Sequence, residues 1–312
     1  MRIVFWGTPD FAVPSLRALL GEAHEVVGVV TQPDRPAGRG RALRASPVKL
    51  LAVEEVMPVL QPERARGDEF MAALRALEPE LSVVVAFGQI LRQEVLDLPT
   101  LGSINVHASL LPQLRGAAPI NYSILEGHAE TGVTIMRMVP ALDAGPILQQ
   151  VREPIGEQET ASDLTARLSE IGAEALIETL AMLELGGLEE RPQDDARASY
   201  APRITRETAT IDWSRPASEV ERRIRALDEV PGARTLWRGN DLKLYRPLVE
   251  PGLDDVPGTV LRVEPGDPEH GLLIACGRDA VWVREVKPEG KRRMTAAEWL
   301  RGRGAAPGER LG

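Results

Sequence analysis

Only one cysteine, Cys276, occurs in the 312 residues, so the chain can form no internal disulfide and holds no CxxC metal or redox site. No apolar run approaches the roughly 20 residues that a membrane span needs, and mean hydropathy is −0.15. The opening MRIVFWGTPDF has no basic leader, which argues against a secretory signal. Positive charge is also short. Lys and Arg number 37 against 46 Asp and Glu, a formal net charge of −9. A uniformly acidic surface repels phosphate and would exclude a nucleic-acid partner. The charge is not uniform, however. Residues 1–203 carry 18 basic and 28 acidic side chains, whereas residues 204–312 carry 19 and 18.

What is present points to two domains, each long enough for its own core. Residues 2–6, 25–31, 81–87 and Ser103–His107 read as buried strands, with helical stretches over 11–19, 46–55 and 68–77 between them. Such alternation predicts an α/β domain over 1–189 with a Rossmann-like, open, mostly parallel sheet. Two more strands are expected over 131–138 and 147–155. A long helix then opens at Thr160 and Asp163 and closes at Gly186-Gly187. The polar stretch 190–207 reads as a linker. Beyond it, a helix over 217–227 and short strands over 242–245, 258–263, 272–275 and 280–286 predict a small, OB-like β-barrel spanning 208–312.

Four histidines are present, and His24, His128 and His270 sit in turn-like contexts that suit solvated residues. His107 instead ends the strand SINVH, at the sheet edge where α/β folds bind ligands. Asn105, two residues earlier, shares its face. The pair reads equally as a satisfied contact that closes a strand. The following Ser109-Leu110-Leu111-Pro112-Gln113-Leu114-Arg115-Gly116 can wall a flat ligand or merely connect two elements. Asp143, in ALDAGP, is either an Asx-turn residue or a functional carboxylate. Asn, His and Asp without a nucleophilic Ser or Cys fit carbonyl chemistry in which the substrate brings the nucleophile. No cluster has metal-ligand spacing, so no metal is expected.

HASLLPQLRGAAPINYSILEG together with GVTIMRMVPALDAGPIL resembles the 10-formyltetrahydrofolate-dependent formyltransferases. FWGTPDFAVPSL and TQPDRPAGRGRAL–SPVK resemble the branch of that family that acts on methionyl-tRNA. The likeness is strong to about Pro154 and weaker through IDWS to the C-terminus; Ala108 stands where many relatives have glycine. The resemblance implies Asn105, His107 and Asp143 as the catalytic set. It implies a formyl donor, 10-formyltetrahydrofolate, lying against Ser109, Leu110, Leu111 and Pro112 and against Phe87, Gly88, Ile90 and Leu91. It also implies a monomeric cytoplasmic enzyme with initiator methionyl-tRNA as partner.

Two basic segments interrupt the acidic background. Residues 34–49 contain Arg35, Arg39, Arg41, Arg44 and Lys49 against Asp34, and their glycine punctuation reads as a mobile loop. Residues 284–303 include Lys287, Lys291, Arg292 and Arg293. Each segment has a local balance of +4, and each is either a solvated surface or a phosphate-binding patch. The residues argue against a dinucleotide enzyme: Gly7-Thr8-Pro9 is not GxGxxG, and Thr31-Gln32-Pro33 offers no acid for a ribose. A formyltransferase for a small amine, such as a nucleotide sugar or glycinamide ribotide, and a non-catalytic RNA-binding module remain as alternatives.

Overall fold

The computed structural model describes residues 1–22, 24–37, 42–267, 270–302 and 304–312. It divides into two compact units. The first comprises Met1–Pro119, Glu130–Pro154 and Thr165–Pro202, and the second Ile120–Ala129, Ile155–Leu164 and Arg203–Gly312.

Strands of the first unit are β1 (Arg2–Gly7), β2 (Glu25–Val30), β3 (Arg35–Ala37), β4 (Ala42–Arg44), β5 (Val59–Leu60), β6 (Leu81–Val85), β7 (Ser103–His107), β8 (Arg115–Gly116), β9 (Glu130–Arg137), β10 (Ile147–Pro154) and β11 (Tyr200–Ala201). Its helices are α1 (Val13–Gly21), α2 (Pro47–Glu54), α3 (Asp68–Ala76) and α4 (Gln93–Leu96). The main sheet has the order β10-β9-β7-β6-β1-β2-β5. Strands β1, β2, β5, β6 and β7 pair in parallel, and β9 and β10 add an antiparallel edge. Every residue of β6 and β7 is buried, as expected of parallel strands covered on both faces. Chain order reverses between β1 and β6, which makes the crevice at their carboxyl ends the topological switch point.

Local signals act as the sequence leads one to expect. Ser46 caps α2 by accepting from the Lys49 amide at 3.1 Å, and a proline follows at the first helical position. Trp6 anchors one side of the sheet, edge-on to Phe70 and Phe87 at 5.9 and 5.2 Å between ring centroids. Its indole donates to Ser82 Oγ at 3.1 Å, so the buried N–H is satisfied.

Two segments differ from expectation. Of the segment 34–49, the described residues 35–37 and 42–44 are strands. Strands β3 and β4 form an antiparallel ribbon in which Arg35 faces Arg44, while Arg39 and Arg41 lie outside the described residues. Strands of three residues are too short to imprint a period. The stretch read as a linker is likewise no free spacer as far as Pro202. Arg191 bridges Ile147, and β11 pairs with β8. These are backbone pairings of one or two residues, too short for a hydrophobic pattern to announce them.

The second unit contains α5 (Pro119–Leu125), most of which belongs to it, α7 (Arg206–Ala209), α8 (Ala217–Ala226) and α9 (Ala296–Arg301). Helix α6 (Ala161–Glu184) starts in this unit and continues into the first. Strands β12 (Ala233–Trp237), β13 (Asn240–Glu250), β14 (Val260–Glu264), β15 (Gly271–Ala275) and β16 (Ala280–Pro288) form an antiparallel sheet of order β12-β13-β16-β15-β14. A short β17 (Met294–Thr295) pairs with β16. Among the described residues no ladder joins β12 to β14. The ladders define a strand-rich unit whose C-terminal residues reach both edge strands: Arg310 bridges Thr259 beside β14, and the Gly312 amide donates to Leu236 O on β12 at 3.0 Å.

Burial pushes the Cys276 thiol up to about 12, with a smaller contribution from Asp279. Thiolate is the reactive form, so Cys276 should be silent to Ellman's reagent at pH 8 in the folded protein and react once in denaturant. Fast labelling of the folded chain would contradict the packing around β15.

Candidate active site

Strand β7 delivers Asn105 and His107 to one face at the carboxyl edge of the sheet, one strand from the switch point. Both are buried, His107 to 6% exposure. The His107 Nε2 lies 3.1 Å from the carbonyl oxygen of Leu114. A carbonyl only accepts, so Nε2 carries the proton, and Nδ1 is the nitrogen left to exchange one. Nδ1 faces Asp143 Oδ2 at 3.8 Å, beyond hydrogen-bond length but within ion-pair reach. That carboxylate oxygen accepts from the Gly116 amide at 2.8 Å. The Asn105 side-chain amide has no partner among the described residues.

The tautomer of His107 is fixed by the loop that follows it, through the Leu114 carbonyl, and not by Asp143. Leu114 sits at φ 59°, a left-handed conformation costing about 1–3 kcal/mol for a non-glycine residue. Strain of that size persists only where surroundings over-determine it, and they do here. The Leu114 amide donates to Ser199 Oγ at 2.9 Å, and the Arg115 amide to Ser199 O at the same distance.

The Ser109–Pro112 loop is clamped from the neighbouring strands. Thr134 on β9 donates to Ser109 O at 2.6 Å and accepts from the Leu111 amide at 3.2 Å. Gln150 on β10 donates to Leu111 O at 2.9 Å and to Thr134 Oγ1 at 3.0 Å. Ser109 Oγ closes the loop by donating to Gln113 O. Leu111 packs with Met136 and Ile147, so its side chain belongs to the core.

The segment after β6 is likewise split. Phe87 and Leu91 are buried in the Trp6 cluster and have no side-chain surface to offer a ligand. Ile90 is 77% exposed and Gly88 is open to solvent, so these two can meet one. Thr8, after β1, donates to Phe87 O at 3.0 Å and Gln32, after β2, at 3.2 Å, holding the segment across the switch point.

Basic residues divide similarly. Arg35 and Arg44 are exposed on the β3–β4 ribbon, and Lys287, Lys291 and Arg292 are exposed in the second unit. Lys49 is tied to Asp34 at 2.7 Å, and the hydrogen bonds from Lys49 and Gln61 hold the Asp34 carboxyl below its ordinary range. Arg293 is consumed internally. It meets Glu285, Glu229 and Asp228 at 2.6, 2.9 and 3.3 Å and stacks 4.1 Å over Tyr245, so its charge is balanced within the unit.

Comparison with known proteins completes the picture. A formyl transferase family model matches residues 1–180, and a formyl transferase C-terminal domain model matches residues 203–304. Methionyl-tRNA formyltransferase of Magnetococcus marinus is 48% identical over 311 residues, covering 100% of this chain and 98% of that protein. The chain belongs to the methionyl-tRNA formyltransferase family. Its fold is shared with WlaRD, a sugar 3N-formyl transferase solved in the presence of dTDP and 5-N-formyl-THF. There the TM-score is 0.67 at 19% identity, over 94% of this chain and 99% of that one. HypX from Aquifex aeolicus, in complex with tetrahydrofolic acid, matches 96% of this chain with about half, 47%, of its own, at TM-score 0.65 and 20% identity.

Thr134, Gln150, Gln193 and Ser199 were missed from sequence. A strand threonine and loop amides carry no pattern that reveals which backbone groups they meet. Replacing Thr134 with Val leaves Ser109 O and the Leu111 amide short of a partner in a buried site. Thr134→Val should therefore lower stability by about 1–3 kcal/mol in urea unfolding and raise KM for the formyl donor. An unchanged unfolding midpoint would show the clamp to be idle.

Proposed function

We propose that this chain transfers the formyl group of 10-formyltetrahydrofolate to the free α-amino group of methionine on initiator methionyl-tRNA, giving N-formylmethionyl-tRNA for translation initiation. The observation that carries the reading is the Asn105, His107 and Asp143 grouping at the carboxyl edge of β7, in a chain whose 48% identity to such an enzyme runs its whole length. That identity, set against 19% to a sugar 3N-formyl transferase that matches 94% of the chain, favours tRNA over a small amine as acceptor. The enzyme acts in the cytoplasm as a monomer.

In this reading the donor lies at the switch point, against Gly88 and Ile90 on one side and the clamped Ser109–Pro112 loop on the other. Negative charge grows on the formyl oxygen as the amine attacks, and the Asn105 side-chain amide donates to it. His107 Nδ1 takes the proton leaving the amine. Asp143, fixed by the Gly116 amide, stabilises the resulting imidazolium, which then returns the proton to N10 of the leaving folate. Positioned acid–base help of this kind contributes about 10²–10⁴ in rate. Transfer of radiolabelled formyl to charged initiator tRNA should fall by that factor in His107→Ala. In Asn105→Ala it should fall by about 10²–10³. Full activity in His107→Ala would sink the mechanism, and an inactive parent would sink the assignment.

The β3–β4 ribbon is the proposed tRNA contact of the first unit. Arg35 and Arg44 stand directly opposite one another on its ladder, an arrangement that is unfavourable until an anion sits between them. Each phosphate that a cation neutralises adds about 0.7–0.9 to the steepness of log K against log salt. Arg35→Ala with Arg44→Ala should flatten the salt dependence of tRNA binding and leave donor KM alone. Binding with the parent's slope would remove the ribbon from the interface.

A further inference from the structure

Gln193 lies in the polar stretch that the sequence presents as a spacer. Its Nε2 donates to the carbonyls of both Asp143 and Gly145, each at 2.8 Å. Its Oε1 accepts a two-pronged contact from Arg115 Nε and Nη2 at 3.1 and 2.8 Å. Both amide protons and the amide oxygen are thus engaged. We propose that Gln193 is a positioning residue for formyl transfer, setting the Asp143 carboxylate opposite His107 Nδ1; this rests on the reading of that pair given above.

The geometry explains why such a residue is needed. Asp143 occupies a left-handed conformation, φ 48°, in a half-buried turn. Its carboxylate takes a hydrogen bond from the Gly116 amide. Gln193 grips both ends of that contact, the turn directly and Gly116 through the adjacent Arg115. Arg115 in turn follows Leu114, whose carbonyl orients His107. One amide therefore cross-links the two segments that determine the 3.8 Å separation of imidazole and carboxylate. Asp195 also pairs with the buried Arg115 guanidinium at 2.7 Å and offsets its charge, but of the two it is Gln193 that links Arg115 to the Asp143 turn. A carboxylate in place of Gln193 would still accept from Arg115, yet would face two carbonyl oxygens with no proton to give.

Misplacement by about 1 Å near a reacting group can cost about 10²-fold in rate. Gln193→Ala should lower kcat for methionyl-tRNA by about 10–10²-fold and keep KM for both substrates within about threefold. Gln193→Glu should be impaired to a similar degree. In an Asp143→Ala background, Gln193→Ala should cost less than about twofold more, because groups acting as a unit are non-additive. A second readout needs no turnover: the imidazole ¹⁵N resonances of His107 in the full chain. Gln193→Ala should move them toward their positions in Asp143→Ala, and Gln193→Glu carries both readouts should the alanine variant fail to fold. Resonances unmoved from the parent, or kcat effects that multiply in the double variant, would overturn the proposal. A parent inactive on methionyl-tRNA would defeat the functional reading, while the ring resonances would still decide whether Gln193 positions Asp143.

Discussion

The Thr134 hydroxyl has one proton and two lone pairs, and the structure uses all three. It donates to Ser109 O and accepts from the Leu111 amide and from Gln150 Nε2. Thr134 is also the residue opposite His107 where β9 runs antiparallel to β7. The ladder therefore fixes His107, and the side chain on its partner strand fixes the loop that follows. Deprived of that hydroxyl, the loop's buried backbone groups lack partners, and an unmade buried hydrogen bond costs more than a made one contributes. The antiparallel edge thus has a purpose beyond extending the sheet. It brings a polar anchor within reach of a segment that a purely parallel sheet would leave to solvent.

From that anchored loop the chemistry at His107 follows by proton counting. The loop ends at Leu114, whose left-handed backbone turns its carbonyl onto Nε2. One ring nitrogen is thereby committed as a donor, and the other is directed toward Asp143. An imidazole in this state accepts a proton on one defined side. Asn105, its side-chain amide unpartnered among the described residues, complements it as a donor. Acceptor and donor on a single strand face suit a reaction in which an amine loses a proton while a carbonyl oxygen gains charge. Neither group is a nucleophile, and none is required when the acceptor substrate supplies one.

Much of this was legible in the residues. The buried strands, the Ser46 cap and the shared face of Asn105 and His107 all follow from local rules that need no tertiary information. The failures share a cause. The β3–β4 ribbon and the 190–202 strap are built from backbone ladders two or three residues long and from polar side chains. The strap's partners also lie far off in sequence, as Gln193 lies 50 residues from Asp143. Phe87 and Leu91 show the complementary error. An apolar residue beside a ligand segment looks the same in sequence whether it faces the ligand or the core, and here Trp6 had already claimed both.

Charge illustrates the same limit of counting. A net value of −9 seemed hostile to RNA, and a run of cations seemed friendly to it. Neither count decides the matter, because at physiological salt a charge acts over roughly 8 Å. A phosphate therefore responds to the few cations beside it and to whether those cations are already neutralised. Arg293 is surrounded by three carboxylates and stacked on Tyr245, so it adds almost no net field outside its own cluster. Arg35 and Arg44 face each other on an exposed ribbon, and their mutual repulsion is relieved only by an anion. Two opposed arginines on an acidic unit thus make a stronger case for a phosphate than a longer basic run whose charges are neutralised from within.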